Sequence, residues 1–176
     1  MLHDPQWISA SVLLSIAVII DLRAHIIPNK LCVLALVFGL ITQTWLFGLT
    51  GLGLSVVGAF VPAIILSFFY ARKAIGAGDV KLMIALGAIV GPMWILWAIV
   101  FGILFGGITS VLLSIYRTGW MGLSKTLGRY RAIFITRTYY QPEASELASQ
   151  KVPYAPGLAL GWLVLLNWPG QLPGLG

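Results

Sequence analysis

Residues 31–71 and 82–116 contain no charged side chain. Two uninterrupted apolar runs of that length leave few folds open, because a water-soluble domain carries about 25% charged residues spread along its chain. Here 9% of residues are charged and 59% hydrophobic, with a mean hydropathy of +0.96. A helix needs roughly 20 apolar residues to cross the ~30 Å hydrocarbon core of a bilayer. The runs therefore read as membrane spans and exclude a soluble globule. The expected architecture is an all-α membrane protein forming a single domain over residues 1–176.

The formal net charge of +6 would in a soluble chain raise nucleic acid as a partner, but the positions argue otherwise. All eleven Lys and Arg fall in three clusters: Arg23 and Lys30; Arg72, Lys73 and Lys81; Arg117, Lys125, Arg129, Arg131, Arg137 and Lys151. Basic residues in alternate loops mark the cytoplasmic side of a membrane protein, and a lipid bilayer with no nucleic acid accounts for them. Only Asp4 precedes the first apolar stretch as a charged residue. That stretch lacks the positive n-region of a cleaved signal peptide and is expected to be a retained helix.

Residues 5–27 give a first span, ending at Pro28-Asn29. The run 31–71 is too long for one crossing and divides at the glycines Gly48, Gly51 and Gly53, which favour a turn. The run 82–116 breaks at Gly91-Pro92; a helix kinked at Pro92 is the competing reading. Two spans there keep all three basic clusters on one side of the bilayer. A last span runs from about Tyr154 to Trp168. Six transmembrane helices result, with both termini periplasmic and the basic loops in the cytoplasm of a cell with an inner membrane.

The fourth of these helices, from Asp79 to Gly91, is only about 20 Å long at 1.5 Å per residue. Its N-terminal end is then expected below the interface, where irregular backbone needs protein or a water-filled cavity around it. Between the fifth and sixth helices, Trp120, Leu123, Leu127, Tyr130 and Phe134 recur at helical spacing, with Lys125 and Arg129 on the other side. That pattern predicts a cytoplasmic-side amphipathic segment in the anionic leaflet; a solvated basic linker is the simpler alternative.

Five acids occur in the chain. Asp4 is near the outer end, and Glu143 and Glu146 lie in the polar loop. Asp21 and Asp79 instead sit in or beside apolar helices, where an ionisable group is costly and is by default a functional one. The topology puts both at the same face and similar depth. Each alone has a structural explanation, helix capping for Asp79 and pairing with Arg23 or Arg72 for Asp21. Together they suit hydrolysis of an amide. Two carboxyls in a dry pocket cannot both ionise easily, so they share a proton; one then takes a proton from water while the other polarises the scissile carbonyl. This chemistry calls for no metal, no cofactor and no nucleophilic side chain. His3 and His25 are isolated, and the single Cys32 has no evident base and excludes disulfides and multi-cysteine zinc sites. Gly76 and Gly78, just before Asp79, let the chain bend and let an extended substrate backbone approach the acid.

Asp21 near the end of the first helix, then Ile27-Pro28-Asn29, then Gly76-Ala77-Gly78-Asp79-Val80-Lys81-Leu82, resembles the type IV prepilin peptidases, membrane aspartic proteases of the GxGD class. The stretch Val152-Pro153-Tyr154-Ala155-Pro156-Gly157-Leu158-Ala159-Leu160-Gly161 is similar to that family's Pro-containing start of the last helix. The resemblance implies that Asp21 and Asp79 are the catalytic pair. It further implies cleavage of a short basic leader from a prepilin or pseudopilin on the cytoplasmic side of the inner membrane. Lys81 matches the motif, though snorkelling to the interface explains it equally well. Larger bifunctional members carry a cytoplasmic insertion with paired cysteines, associated with N-methylation. Here only Leu22 to Lys30 separate the first two spans and Cys32 stands alone, so methyltransferase activity is not expected. The chain looks like the compact, peptidase-only branch that serves Flp/Tad-type pili, with archaeal preflagellin peptidases as a related compact group.

A basic leader would be repelled by the basic loops. Glu143 and Glu146, the only acids of the long inner loop, are candidates to receive it. Gly87/Gly91, Gly102/Gly106 and Gly157/Gly161 have small-xxx-small spacing, which leaves open helix packing within the monomer or in a homo-oligomer. Trp94, Trp97, Trp162 and Trp168 read as belt or packing residues. The rival from another class is an ion- or proton-coupled transporter that binds its ion at Asp21 and Asp79. Against it, both acids lie near one face and the halves show no repeat. A noncatalytic assembly subunit, with the acids as interhelical glue, is a third reading. Neither rival accounts for the glycines before Asp79.

Overall fold

The computed structural model describes residues 5–24, 26–71, 75–109, 111–112, 115–116 and 155–167. Among these residues the regular structure is entirely helical. The main helices are α1 (Pro5–Ala24), α2 (Asn29–Ala71), α3 (Ala77–Val90), α4 (Pro92–Thr109) and α5 (Ala155–Asn167). Of these, α1, α2 and α4 are each long and apolar enough to cross a membrane, and α5 is a shorter apolar helix. The predicted amphipathic segment at 117–153, with Glu143 and Glu146, lies outside the described residues.

The 43 residues of α2 would extend about 65 Å if straight, more than twice the hydrocarbon thickness. They do not run straight. Gly48 has φ 64° and ψ −145°, a conformation that side chains avoid. A Cβ on Gly51 would collide with the carbonyl of Gln43, yet in one continuous helix those residues would stand about 12 Å apart. The chain therefore doubles back at Gly48, as its glycine cluster predicts, and α2 consists of two limbs.

Both limbs pack on α3. A Cβ on Gly39 of the first limb would fall 2.9 Å from Ala88 and Ile89, and one on Gly58 of the second would collide with the Gly87 carbonyl. Glycines at these positions bring the backbones closer than any other residue allows. The shortness of α3 raises a second problem. Its last carbonyls end among apolar groups, where no water can satisfy them. Three of them find partners: the Gly91 amide donates to Gly87 O (2.9 Å), Ser55 Oγ to Ala88 O (2.6 Å) and Gln43 Nε2 to Ile89 O (2.5 Å). Ser55 and Gln43 are the buried polar residues of the two limbs, and they are placed where the short helix stops.

At Gly91, φ 83° and ψ 175° break the helix outright, so a continuous helix kinked at Pro92 is not what forms. Pro92 opens α4, a position where its missing N–H costs nothing. The α4 helix folds back along α3, because Gly102 comes within 3.9 Å of Met83 for a Cβ built on it. The small-xxx-small pairs pack within the monomer: Gly157 abuts Gly106, and Gly161 lies against Phe101 and Gly102, with 2.8–2.9 Å left for a Cβ. At the start of α1, Trp7 meets Trp94 edge-on at 4.4 Å and Trp162 at 5.2 Å, while Trp162 Nε1 donates to Ser11 Oγ at 3.0 Å. Trp7 and Trp162 are buried, which makes them packing residues joining α1, α4 and α5.

Candidate active site

Asp21 lies near the C-terminal end of α1, on the face that also carries Ala10, Leu14 and Ala17 and points into the core. It is only 6% exposed. Its Oδ2 accepts a hydrogen bond from the Ala155 amide at 3.1 Å, so the partner of this buried carboxylate is the start of α5. Arg23, two residues on, is exposed.

Asp79 is the third residue of α3. It is not the N-cap, a role that falls to Gly76, whose carbonyl accepts the Val80 amide at 3.2 Å. From that third position its carboxyl reaches back beside Gly76. A Cβ on Gly76 would stand 2.9 Å from Asp79 Oδ2. The glycine thus makes room for the carboxylate. Gly78 does something else: its missing Cβ would be 3.2 Å from Ile27 Cβ, so it brings the start of α3 against the α1–α2 connection.

That connection is short and organised. The Pro28 carbonyl accepts the amides of Leu31 (3.1 Å) and Cys32 (3.4 Å), which starts α2. Ile27 is buried against Gly78, and Asn29 Oδ1 accepts a hydrogen bond from Lys81 Nζ at 2.8 Å. The Ile27-Pro28-Asn29 and Gly76-to-Lys81 motifs are therefore two sides of one contact. Lys81 binds Asn29, at the exposed rim of the site.

The structure brings the two aspartates together: their carboxyls are near enough to interact electrostatically, although the chain between them reverses three times, before α2, at Gly48 and before α3. Beside Asp79 lies a cavity of about 10 Å³, walled by Leu66, Ile75, Met83, Ile99, Ile103 and Leu158. That volume is close to the minimum for one water molecule, and Asp79 is its one acidic wall. A far larger apolar trough of about 750 Å³ runs between α1 and the first limb of α2, lined by Ile8, Val12, Ile16, Leu34, Phe38 and Ile41 among others. At 100° per residue those α1 positions lie opposite Asp21, so the trough does not open onto the pair.

Two participants lie in the Pro-containing stretch at the start of the last helix, though nothing in that stretch marks their part. Ala155 contributes only a backbone amide, and Leu158 only a wall; their place follows from contacts across most of the chain's length.

A buried carboxyl beside a half-buried one, glycine clearance at the second, and water-sized space next to it are the parts of an amide-hydrolysing site. The model of the type IV leader peptidase family matches residues 8–111, a stretch that holds both aspartates and both motifs. The chain belongs to the type IV leader peptidase family. No curated protein and no solved structure matches it. Membership makes this chain a leader-peptidase-like protease and favours hydrolysis over the ion-transport reading of the same acids. The matched stretch ends before α5, the helix whose first amide binds Asp21.

Proposed function

We propose that this leader peptidase is a GxGD-type aspartic endopeptidase that removes the short basic leader of Flp/Tad-type prepilins or pseudopilins. It acts at the cytoplasmic face of the inner membrane, with Asp21 and Asp79 as its catalytic pair. The observation that carries the reading is the convergence of those two acids beside α5, with Gly76 leaving space at Asp79. In the reaction one carboxylate takes a proton from a water molecule as its oxygen attacks the scissile carbonyl carbon. The other carboxyl gives its proton to the carbonyl oxygen, and the resulting tetrahedral intermediate collapses when the leaving amine is protonated.

The proposed topology has six crossings, made by α1, the two limbs of α2, α3, α4 and α5, with both termini periplasmic. The distribution of Lys and Arg supports it. Glu143 and Glu146 are proposed to receive the basic leader.

Purified protein in detergent, mixed with a prepilin carrying its leader, should yield a shortened product. Asp21→Asn and Asp79→Asn should leave the precursor intact while eluting as the wild type does on gel filtration. Cleavage by either variant at the wild-type rate overturns the assignment. Reversing the charge of Glu143 and Glu146 should slow cleavage of a basic leader and not of a neutralised one; equal rates on both remove those residues from the scheme.

A further inference from the structure

We propose that the backbone amide of Ala155 is a positioning group for Asp21, so that the seating of α5 sets the geometry of the aspartate pair; this rests on the peptidase reading of that pair. A carboxylate buried as Asp21 is needs a hydrogen-bond donor. Alone on α1, its side chain would be free to turn about two bonds. The Ala155 amide, itself fully buried, donates to Oδ2 at 3.1 Å. It is one of the amides at the start of α5 that have no partner inside the helix, and the helix dipole puts partial positive charge there. The bond therefore fixes one oxygen of Asp21 and leaves the other for the reaction.

The amide can serve this way only if α5 is held in register, and it is held at several points. Trp162 Nε1 binds Ser11 Oγ at 3.0 Å. Together with the Asp21 bond it ties α5 to α1 at both ends of an antiparallel contact. Gly157 and Gly161 press α5 onto Gly106 and Phe101 of α4 with no room for a side chain. Leu158, one turn into α5, walls the cavity beside Asp79. One helical turn thus reaches both sides of the site, through a backbone group at Asp21 and an apolar wall of the cavity beside Asp79.

The test replaces Ala155 in the full-length protein by its α-hydroxy acid, which turns the amide into an ester and removes only the N–H. On prepilin, kcat should fall roughly 10- to 100-fold, the worth of a hydrogen bond to a charged group, with KM within about twofold, the pattern of an interaction made in the transition state. The same ester at Leu163, which faces outward from mid-helix, removes an amide of structural use alone and should keep wild-type kcat. Ala155→Pro deletes the same N–H at a position where proline suits a helix start. It should reproduce the split between kcat and KM, and it serves where the ester protein does not accumulate. An unchanged kcat in the Ala155 variants, or an equal loss at Leu163, overturns the proposal. A wild-type protein that leaves prepilin uncut overturns the peptidase reading and this inference with it; the two failures are told apart by the wild-type lane.

Discussion

The two glycines of the Gly76-Ala77-Gly78-Asp79 motif have different neighbours and should fail differently. At Gly76 the backbone is extended, so a side chain is allowed by torsion and opposed only by Asp79 Oδ2, 2.9 Å from the added carbon. The carboxyl must then move, and a displaced reacting group can cost about 100-fold in rate. Gly76→Ala should therefore lower kcat by roughly 10- to 100-fold while changing stability by less than about 1 kcal/mol. At Gly78 the opposing atom is Ile27 Cβ, which cannot swing aside. Gly78→Ala should cost about 1–3 kcal/mol of stability by wedging α3 from the α1–α2 connection. Steady-state kinetics beside unfolding midpoints separates the two; a Gly76→Ala enzyme at full speed would show that the carboxyl has slack.

Among the elements, α3 is the most constrained. It carries Asp79 at one end, is short for a bilayer, and ends among apolar neighbours. Its termination depends on three amino acids from other segments: Ser55, Gln43 and Gly91. Ser55→Ala leaves the Ala88 carbonyl without its 2.6 Å partner, a loss of about 1–3 kcal/mol for a buried acceptor. Gly91→Ala has open space around it, so its cost is purely that of the backbone, about 1–3 kcal/mol at such torsions. Both effects should appear as lowered unfolding midpoints in detergent. They differ in rescue: Ser55→Thr restores the donor, whereas no L-residue restores Gly91. Recovery of Gly91 by a larger side chain would contradict the observed break.

At the scale of the molecule, the aspartate pair is assembled by helices from both ends of the described chain. α1 supplies Asp21, α3 supplies Asp79, and α5 locks onto α1 through Trp162 and Ala155 and onto α4 through its glycines. Six crossings require that Lys30 and Lys81 share a side and that Gly48 faces the opposite one. In a Cys32→Ser background, cysteines placed at Lys30 and at the exposed Leu49 beside the turn should be labelled by a membrane-impermeant thiol reagent from opposite sides of oriented vesicles. Labelling of both from one side would remove the six-span topology and the cytoplasmic placement of the site.

Much of this was legible in the sequence. The helical class, the turn at Gly48, the break before Pro92, the short α3 and the places of Asp21 and Asp79 at helix ends all follow from local properties: where charge is absent, where glycine and proline fall, and where an ionisable group interrupts an apolar run. Each of these is a cost that a single position imposes on its neighbours, and so it can be read one stretch at a time. Tertiary structure decided what those positions meet. Gly78 faces Ile27, Lys81 binds Asn29, Ser55 and Gln43 finish a helix they do not belong to, and the partner of Asp21 is the amide of an alanine 134 positions away. Backbone amides are the same at every residue, so no composition or spacing marks the one that matters. Only the packing of α5 against α1 and α4 selects it.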